Sequence, residues 1–409
     1  MQHTQQQIVL PLLNAMDDNG GRSRTADLYD AVATKCGISE EAREATVRVG
    51  RQNVNVYKRS VRWAQQRARL QNLITPIGTG EWELTGKGKD ALRRAAPGIV
   101  ITIFCTDMGT ALFGNSEEAI GYLDDGSIQS IICSPPYPLL REKQYGNKHV
   151  NEYLDWLLRI AEQWPKKLTA DGSVVINLGD VWTAGEPYMS LYQERLLIRL
   201  EDELGWKLCQ RYAWHNPAKM PAPAEWVTIR RVRVKPSLEQ IYWLAPNGEP
   251  YADNRNVLVP YSEAMRSRIA AGGETGGTRP SGHHLAAGAF DVDNGGAIPT
   301  SLLVASNTSS NSDYIRKCRE QGLPVHPARF PADLPRHFVA LTTREGDTVL
   351  DPFGGSLETG AVAEEMGRHW IGIDCTLEYL YGGANRFPNA RMTRSSIDSY
   401  RPAGDLFSA

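Results

Sequence analysis

The sequence is poor in the features that mark metal clusters, secreted scaffolds and membrane spans. Its 409 residues include six cysteines (Cys36, Cys105, Cys133, Cys209, Cys318 and Cys375), none in C-x-x-C spacing, which speaks against a zinc cluster and against a disulfide framework. Reduced thiols are expected, and Cys133 and Cys375 read more readily as small buried hydrophobes than as nucleophiles. No apolar run approaches the ~18 residues that span a bilayer. The start, Met1-Gln2-His3-Thr4-Gln5-Gln6-Gln7, has neither the basic opening nor the long apolar follow-on of a secretory signal, so a cytoplasmic protein without membrane contact is the expectation. H-E-x-x-H is absent and no metal is expected; there is no internal repeat. Net charge is nearly absent too, at −2, so the overall balance gives no pointer to nucleic acid.

What is present begins with size: 41% hydrophobic and 22% charged residues over this length fit a soluble chain of two or three domains. Charge is unevenly spread. From Arg43 to Arg94 twelve Lys and Arg face four acids, a local surplus that can attract phosphates. In the same stretch Val54, Tyr57, Val61, Ala64 and Ala68 recur at spacings of three and four, which predicts a helix with one buried face, and Arg59, Arg62, Arg67 and Arg69 lie among them. The turn Gly78-Thr79-Gly80, followed by Glu81-Trp82-Glu83-Leu84-Thr85 and Gly86-Lys87-Gly88, predicts a two-stranded wing after that helix. Arg59 and Arg62 are the candidate DNA contacts; a dimerisation or packing module with a merely solvated Arg face is the alternative.

Ala95-Ala96-Pro97-Gly98 reads as a linker, after which strands and helices alternate. Strands are predicted at 99–104, 127–133, 173–178, 348–350 and 370–373, and helices at 116–123, 151–168, 334–341 and 358–366. Such alternation implies an α/β fold with a mainly parallel sheet. Residues 270–299 carry glycine pairs and little apolar surface, and predict a mobile loop.

Two strand-end motifs carry the chemistry. Ser134-Pro135-Pro136-Tyr137 follows Ile131-Ile132-Cys133, and Asp351-Pro352-Phe353-Gly354-Gly355-Ser356 follows Thr348-Val349-Leu350. Ligands of open α/β sheets bind beyond the carboxyl ends of parallel strands, so the two loops could meet at one site. A glycine turn with an acid 23 residues on, Asp374, has the spacing that brings a carboxylate to the ribose of a nucleoside cofactor.

These motifs, in this order, resemble the β-type, circularly permuted DNA amino-methyltransferases over roughly residues 100–390. Asp351, Pro352, Phe353, Gly355, Ser356, Thr359 and Gly360 match the family's D-P-F-x-G-S-G-T-T-G loop; Leu357 and Glu358 depart from its Gly-Thr. The resemblance implies a Rossmann-like methyltransferase fold that binds S-adenosylmethionine through Asp351, Phe353, Gly355, Ser356 and Asp374. It adds Phe330, in His326-Pro327-Ala328-Arg329-Phe330-Pro331, against the methionine end, and Asp107 as acceptor for the adenine amine. On its residues alone Asp107 reads equally as a turn former.

The same resemblance makes Ser134, Pro135, Pro136 and Tyr137 catalytic. An exocyclic base amine is a poor nucleophile, and acceptors such as the Ser134 hydroxyl and the Pro135 carbonyl can free its lone pair while Tyr137 stacks on a base extruded from the duplex. Positioning and pre-aimed dipoles then suffice, without metal or covalent intermediate. Serine in first place favours cytosine N4 over adenine N6. Asp171 to Asp180, and Trp214-His215-Asn216-Pro217 with Met220-Pro221, resemble segments beside the target pocket. Arg231, Arg233 and Lys235 would share one face of a strand and could hold phosphates, or else protect a solvated edge strand.

The first 95 residues resemble the winged-helix domain of Mrr-type restriction proteins. The domain reading is thus 1–95 DNA-binding, 100–220 catalytic half, 221–325 target recognition and 326–395 cofactor half. Double-stranded DNA is the implied partner, with a cognate restriction endonuclease and a homodimer left open. A glutamine-modifying protein methyltransferase is disfavoured by motif order; a DNA-binding regulator on a degenerate methyltransferase fold remains the rival from another class.

Overall fold

The computed structural model describes residues 9–35, 38–49, 52–70, 72–92, 100–138, 150–183, 185–307 and 311–392. The linker 95–98 lies outside the described residues. Among these residues no helix is long and apolar enough to cross a membrane.

The N-terminal unit packs the helices Val9–Asp18, Thr25–Lys35 and Val56–Leu70 against an antiparallel sheet in which Glu81–Leu84 lies between Arg22–Arg24 and Ile74–Gly78. Tyr57, Val61, Ala64 and Ala68 are buried at the predicted spacing, and a hairpin turning at Gly80 follows the helix. Val54 instead lies in the strand Gln52–Asn55, because the Asn55 side chain accepts from Lys58 N at 2.8 Å and starts the helix after it. Gly86-Lys87-Gly88 opens a short helix, Gly86–Ala91, rather than extending the wing.

Among the described residues that follow, the main element is a ten-stranded sheet. In spatial order its strands are Leu302–Val304, Lys207–His215, Leu238–Ala245, Leu168–Leu178, Ile128–Cys133, Thr348–Asp351, His369–Asp374, Gly109–Gly114, Val100–Cys105 and Arg391–Met392. The central five, from Leu168–Leu178 to Gly109–Gly114, are mutually parallel; antiparallel pairs flank them. Alternation of side chains assigns the two cores. Ile131, Cys133, Val174, Ile176 and Leu350 pack under the helices Val150–Ala161 and Tyr192–Leu204, while Ile132, Val175 and Val349 pack under Asp333–Thr342 and Leu377–Ala384.

Several predicted elements are redrawn. The helix over 151–168 ends at Ala161 and a separate turn runs over Trp164–Lys167, since Pro165 fits only the first turn of a helix. Arg231, Arg233 and Lys235 are not on a strand. They follow a π-helical turn, Glu225–Ile229, with Arg231 in the left-handed region, and the strand begins only at Leu238. Within the 270–299 stretch, the Glu274 carboxylate takes both Arg268 and Arg279 at 2.9 Å, and Gly277–Thr278 pairs with His284–Leu285.

Candidate active site

Because the central strands are parallel, the loops after Cys133, Leu178, Asp351, Asp374 and Gly114 all leave the same edge of the sheet. Those after Cys133, Asp351, Asp374 and Gly114, together with the 326–330 segment and the helix Val150–Ala161, enclose a cavity of about 420 Å³, within the range of small-molecule sites. It is lined by Ser134, Pro135, Pro136 and Tyr137 from one motif and by Asp351 to Ser356 from the other, with Asp374 and Phe330. The two motifs, far apart in the chain, share one site.

The glycine loop is held from within. Asp351 is 3% exposed; its carboxylate accepts from Phe353 N at 3.0 Å and Thr359 Oγ1 at 2.8 Å, and burial pushes its pKa up to about 7. Asp374 accepts from Gly355 N at 2.8 Å and Thr376 N at 2.7 Å, and burial raises it to about 6. Gly355, at φ 50°, brings its backbone to the His326 ring, where a Cβ would stand 3.0 Å away. Phe353 packs on Trp156 with ring centroids 5.7 Å apart.

Leu357 and Glu358 fit this loop by compensating features elsewhere. Leu357, also left-handed, is 1% exposed and its side chain fills the space that Cβ atoms on Gly354, Gly372 and Gly383 would occupy. Glu358 pairs with Arg386 at 2.6 Å, both side chains under a tenth exposed. Arg386 also donates to the Ser356 carbonyl at 2.7 Å and to Asn311 Oδ1 at 2.7 Å, and its guanidinium lies 4.5 Å from the Tyr314 ring.

At the other end of the cavity the Ser134–Tyr137 loop enters a polar network. Ser134 Oγ and Tyr137 Oη are 3.0 Å apart, Tyr137 Oη donates to Glu239 Oε2 at 3.1 Å, and Lys219 Nζ meets Glu239 Oε1 at 3.0 Å. Asn177 Nδ2 lies within 3.4 Å of Ser134 Oγ and 3.2 Å of both Tyr137 Oη and Glu239 Oε2. Burial, with the Glu239 carboxylate beside it, pushes the Tyr137 phenol far above its ordinary pKa. Burial likewise raises Asp180.

Asp107 is the candidate the fold does not bring to the site. It sits in the turn of the antiparallel pair Val100–Cys105 and Gly109–Gly114, and so at the amino end of a strand whose carboxyl end, at Phe113, lies beside Asp374. There it is exposed and paired with Arg391 at 2.6 Å, which holds its carboxyl below the usual range. The residues lining the cavity from that strand's other end are Asn115 and Ser116. Arg59 and Arg62 are exposed on the Val56–Leu70 helix, Arg62 Nε donating to Tyr29 Oη at 2.7 Å. Arg233 donates to the Pro187 carbonyl and Lys235 to that of Pro217.

Sequence reasoning missed Trp156, Tyr153, Thr376 and Tyr379 on the cavity wall, and Glu239 in the hydrogen-bond network around Tyr137. Glu239 lies 102 positions from Tyr137, on a strand whose start abuts Leu178 only because it runs antiparallel to it. No local pattern signals that.

The family model for DNA methylase matches residues 128–385, and that for the Mrr N-terminal domain matches residues 6–94. The chain is 41% identical over 296 residues to the type II methyltransferase M.PvuII of Proteus hauseri, 72% of this chain and 88% of that protein. It is 26% identical over 311 residues to M.Cfr9I of Citrobacter freundii, covering 68% and 87%. The solved PvuII DNA methyltransferase (cytosine-N4-specific) superposes with a TM-score of 0.58 at 34% identity, over 74% of this chain and 95% of that one.

Proposed function

The chain belongs to the DNA methylase family, and on that premise we propose that it transfers a methyl group from S-adenosylmethionine to the exocyclic N4 amine of cytosine in double-stranded DNA. One observation carries the reading: Ser134-Pro135-Pro136-Tyr137 and the Asp351–Ser356 loop line a single cavity. The 41% identical relative and the cytosine-N4-specific structure at 34% identity support cytosine N4 as the acceptor.

The residues present fit the cofactor. Asp374 offers a carboxylate for ribose hydroxyls, Gly355 and Ser356 offer backbone at a close-approach turn, and Phe330 and Phe353 offer apolar walls. S-adenosylmethionine supplies an electrophilic methyl group when bound. The chain's own work is to hold the amine: Ser134 Oγ and the Pro135 carbonyl accept its hydrogens, the prolines stiffen the loop, and Tyr137 presents a ring for stacking on the extruded base.

The Mrr-like unit adds a second DNA contact in this reading, through Arg59 and Arg62, both exposed on the helix before the hairpin. Arg231, Arg233 and Lys235 reach phosphates from the 217–237 loop, which leaves the sheet next to Glu239.

Nucleoside mass spectrometry on DNA incubated with the protein and S-adenosylmethionine tests the reading. N4-methylcytosine is expected; N6-methyladenine as the sole product overturns the acceptor, and no S-adenosylmethionine binding by calorimetry with DNA affinity retained overturns the activity in favour of a DNA-binding regulator.

A further inference from the structure

We infer that Glu239 is the terminus of a proton relay, in which the proton shed by the methylated amine passes through Ser134 and Tyr137 to the Glu239 carboxylate. The inference rests on the amine-methyltransferase reading above.

The direction of the hydrogen bonds makes the case. A phenol has one hydrogen, and Tyr137 gives its own to Glu239 Oε2 at 3.1 Å. At 3.0 Å from Ser134 Oγ, Tyr137 Oη is therefore the acceptor and Ser134 the donor. Beside the long 3.4 Å contact from Asn177 Nδ2, that leaves a Ser134 lone pair for the N–H of the base, which is the polarity that an acceptor of amine hydrogens requires. The carboxylate thus orients two hydroxyls that could otherwise point either way. Asn177, 6% exposed, donates into the same chain and fixes its corner.

Chemistry supplies the need. As the N4–methyl bond forms and the methyl–sulfur bond breaks, its electron pair stays on sulfur and N4 becomes cationic. One N4 proton must then leave. Serine alone is too weak a base to keep it, but Ser134 Oγ can take it while passing its own proton to Tyr137 Oη, as Tyr137 passes its own to Glu239. Both hydroxyls end neutral and Glu239 ends as the carboxylic acid. Lys219 Nζ lies 3.0 Å from Oε1, and side-chain exposures of 26% and 14% for Lys219 and Glu239 give the proton a route to solvent. Asp180 is the other nearby acid, but the hydrogen bond it receives comes from Gln193, outside the hydroxyl chain.

Glu239 is then a positioning residue acting through Tyr137, and charge must matter more than shape. Single-turnover methylation of a cognate duplex separates the two. Glu239→Gln, isosteric but uncharged, and Tyr137→Phe, which keeps the ring, should each slow transfer by roughly 10²-fold, the scale of lost proton transfer. DNA and S-adenosylmethionine affinities, by calorimetry, should stay within about twofold of wild type on that scale. The double variant should be no slower than either single, and Glu239→Asp should be faster than Glu239→Gln despite its poorer fit. Without cofactor, the Tyr137 hydroxyl proton should resonate downfield and move upfield in Glu239→Gln. Glu239→Gln at wild-type rate, or Gln outperforming Asp, overturns the relay. Wild-type protein that forms no N4-methylcytosine overturns the underlying reading instead.

Discussion

The Glu358 carboxylate and the Arg386 guanidinium meet at 2.6 Å, with both side chains under a tenth exposed, where the methyltransferase pattern has an uncharged threonine. Arg386 comes from the far side of the next strand and helix, and its bond to the Ser356 carbonyl makes it a brace for the glycine loop. Arg386→Met should therefore destabilise the protein by about 3–5 kcal/mol, because a buried carboxylate loses its counter-ion. Combining it with Glu358→Thr should recover most of that loss in urea melts. Strictly additive losses would show that the pair is not coupled.

Gly179 sets the position of the Tyr137 ring. A Cβ at residue 179 would approach Tyr137 Cε2 to 2.6 Å, so Gly179→Ala must push the ring aside. A displacement of this kind should lower turnover by roughly tenfold or more while costing about 1–3 kcal/mol of stability. Steady-state rates measured beside thermal melts check the split; unchanged turnover would mean that the ring's place is not critical.

Asp374 should give cofactor affinity and stability opposite pH trends. Its carboxyl is pushed from 3.8 up to about 6 in the fold, so the folded state holds this proton more tightly than the unfolded chain. Its contribution to stability is therefore greatest near pH 4 and declines as pH rises through 6. Relative to Asp374→Asn, wild type should lose stability between pH 4 and 7. Affinity for S-adenosylmethionine should rise over the same interval, because the ionised carboxylate is the better acceptor for ribose hydroxyls. Denaturant melts and calorimetry at four pH values suffice, and parallel trends would refute the assignment.

Arg59 and Arg62 should contribute phosphate contacts. Replacing both with alanine should make the dependence of log affinity on log salt shallower by about two units, since each phosphate contact releases roughly 0.9 of a counterion. Cofactor affinity should not change. An unaltered slope would mean that the exposed Arg face is only solvated, with the Arg62–Tyr29 bond at 2.7 Å its structural role.

Much of this was legible in order along the chain. Short apolar runs bounded by Ser134 and Asp351 predicted parallel strands with loops at one edge, because buried strands must be apolar on both faces and their ends must turn. Helical spacing predicted the buried face of Val56–Leu70. Where the sequence misled, a local backbone feature was often responsible: the alternating 230–235 segment reads as a strand but follows a π-helical turn, with Val232 and Arg233 N–H groups both donating to the Trp226 carbonyl.

Sequence by itself determined the chemistry of the two motifs and their permuted order, since both depend on local residue types and on chain direction. Tertiary structure decided which groups act together. Strand polarity sent Asp107 to the wrong end of the sheet and brought Glu239 to Tyr137, and burial turned Glu358 from an oddity in a pattern into half of an ion pair. Polarity and burial are properties of neighbours in space, which spacing along one chain does not encode.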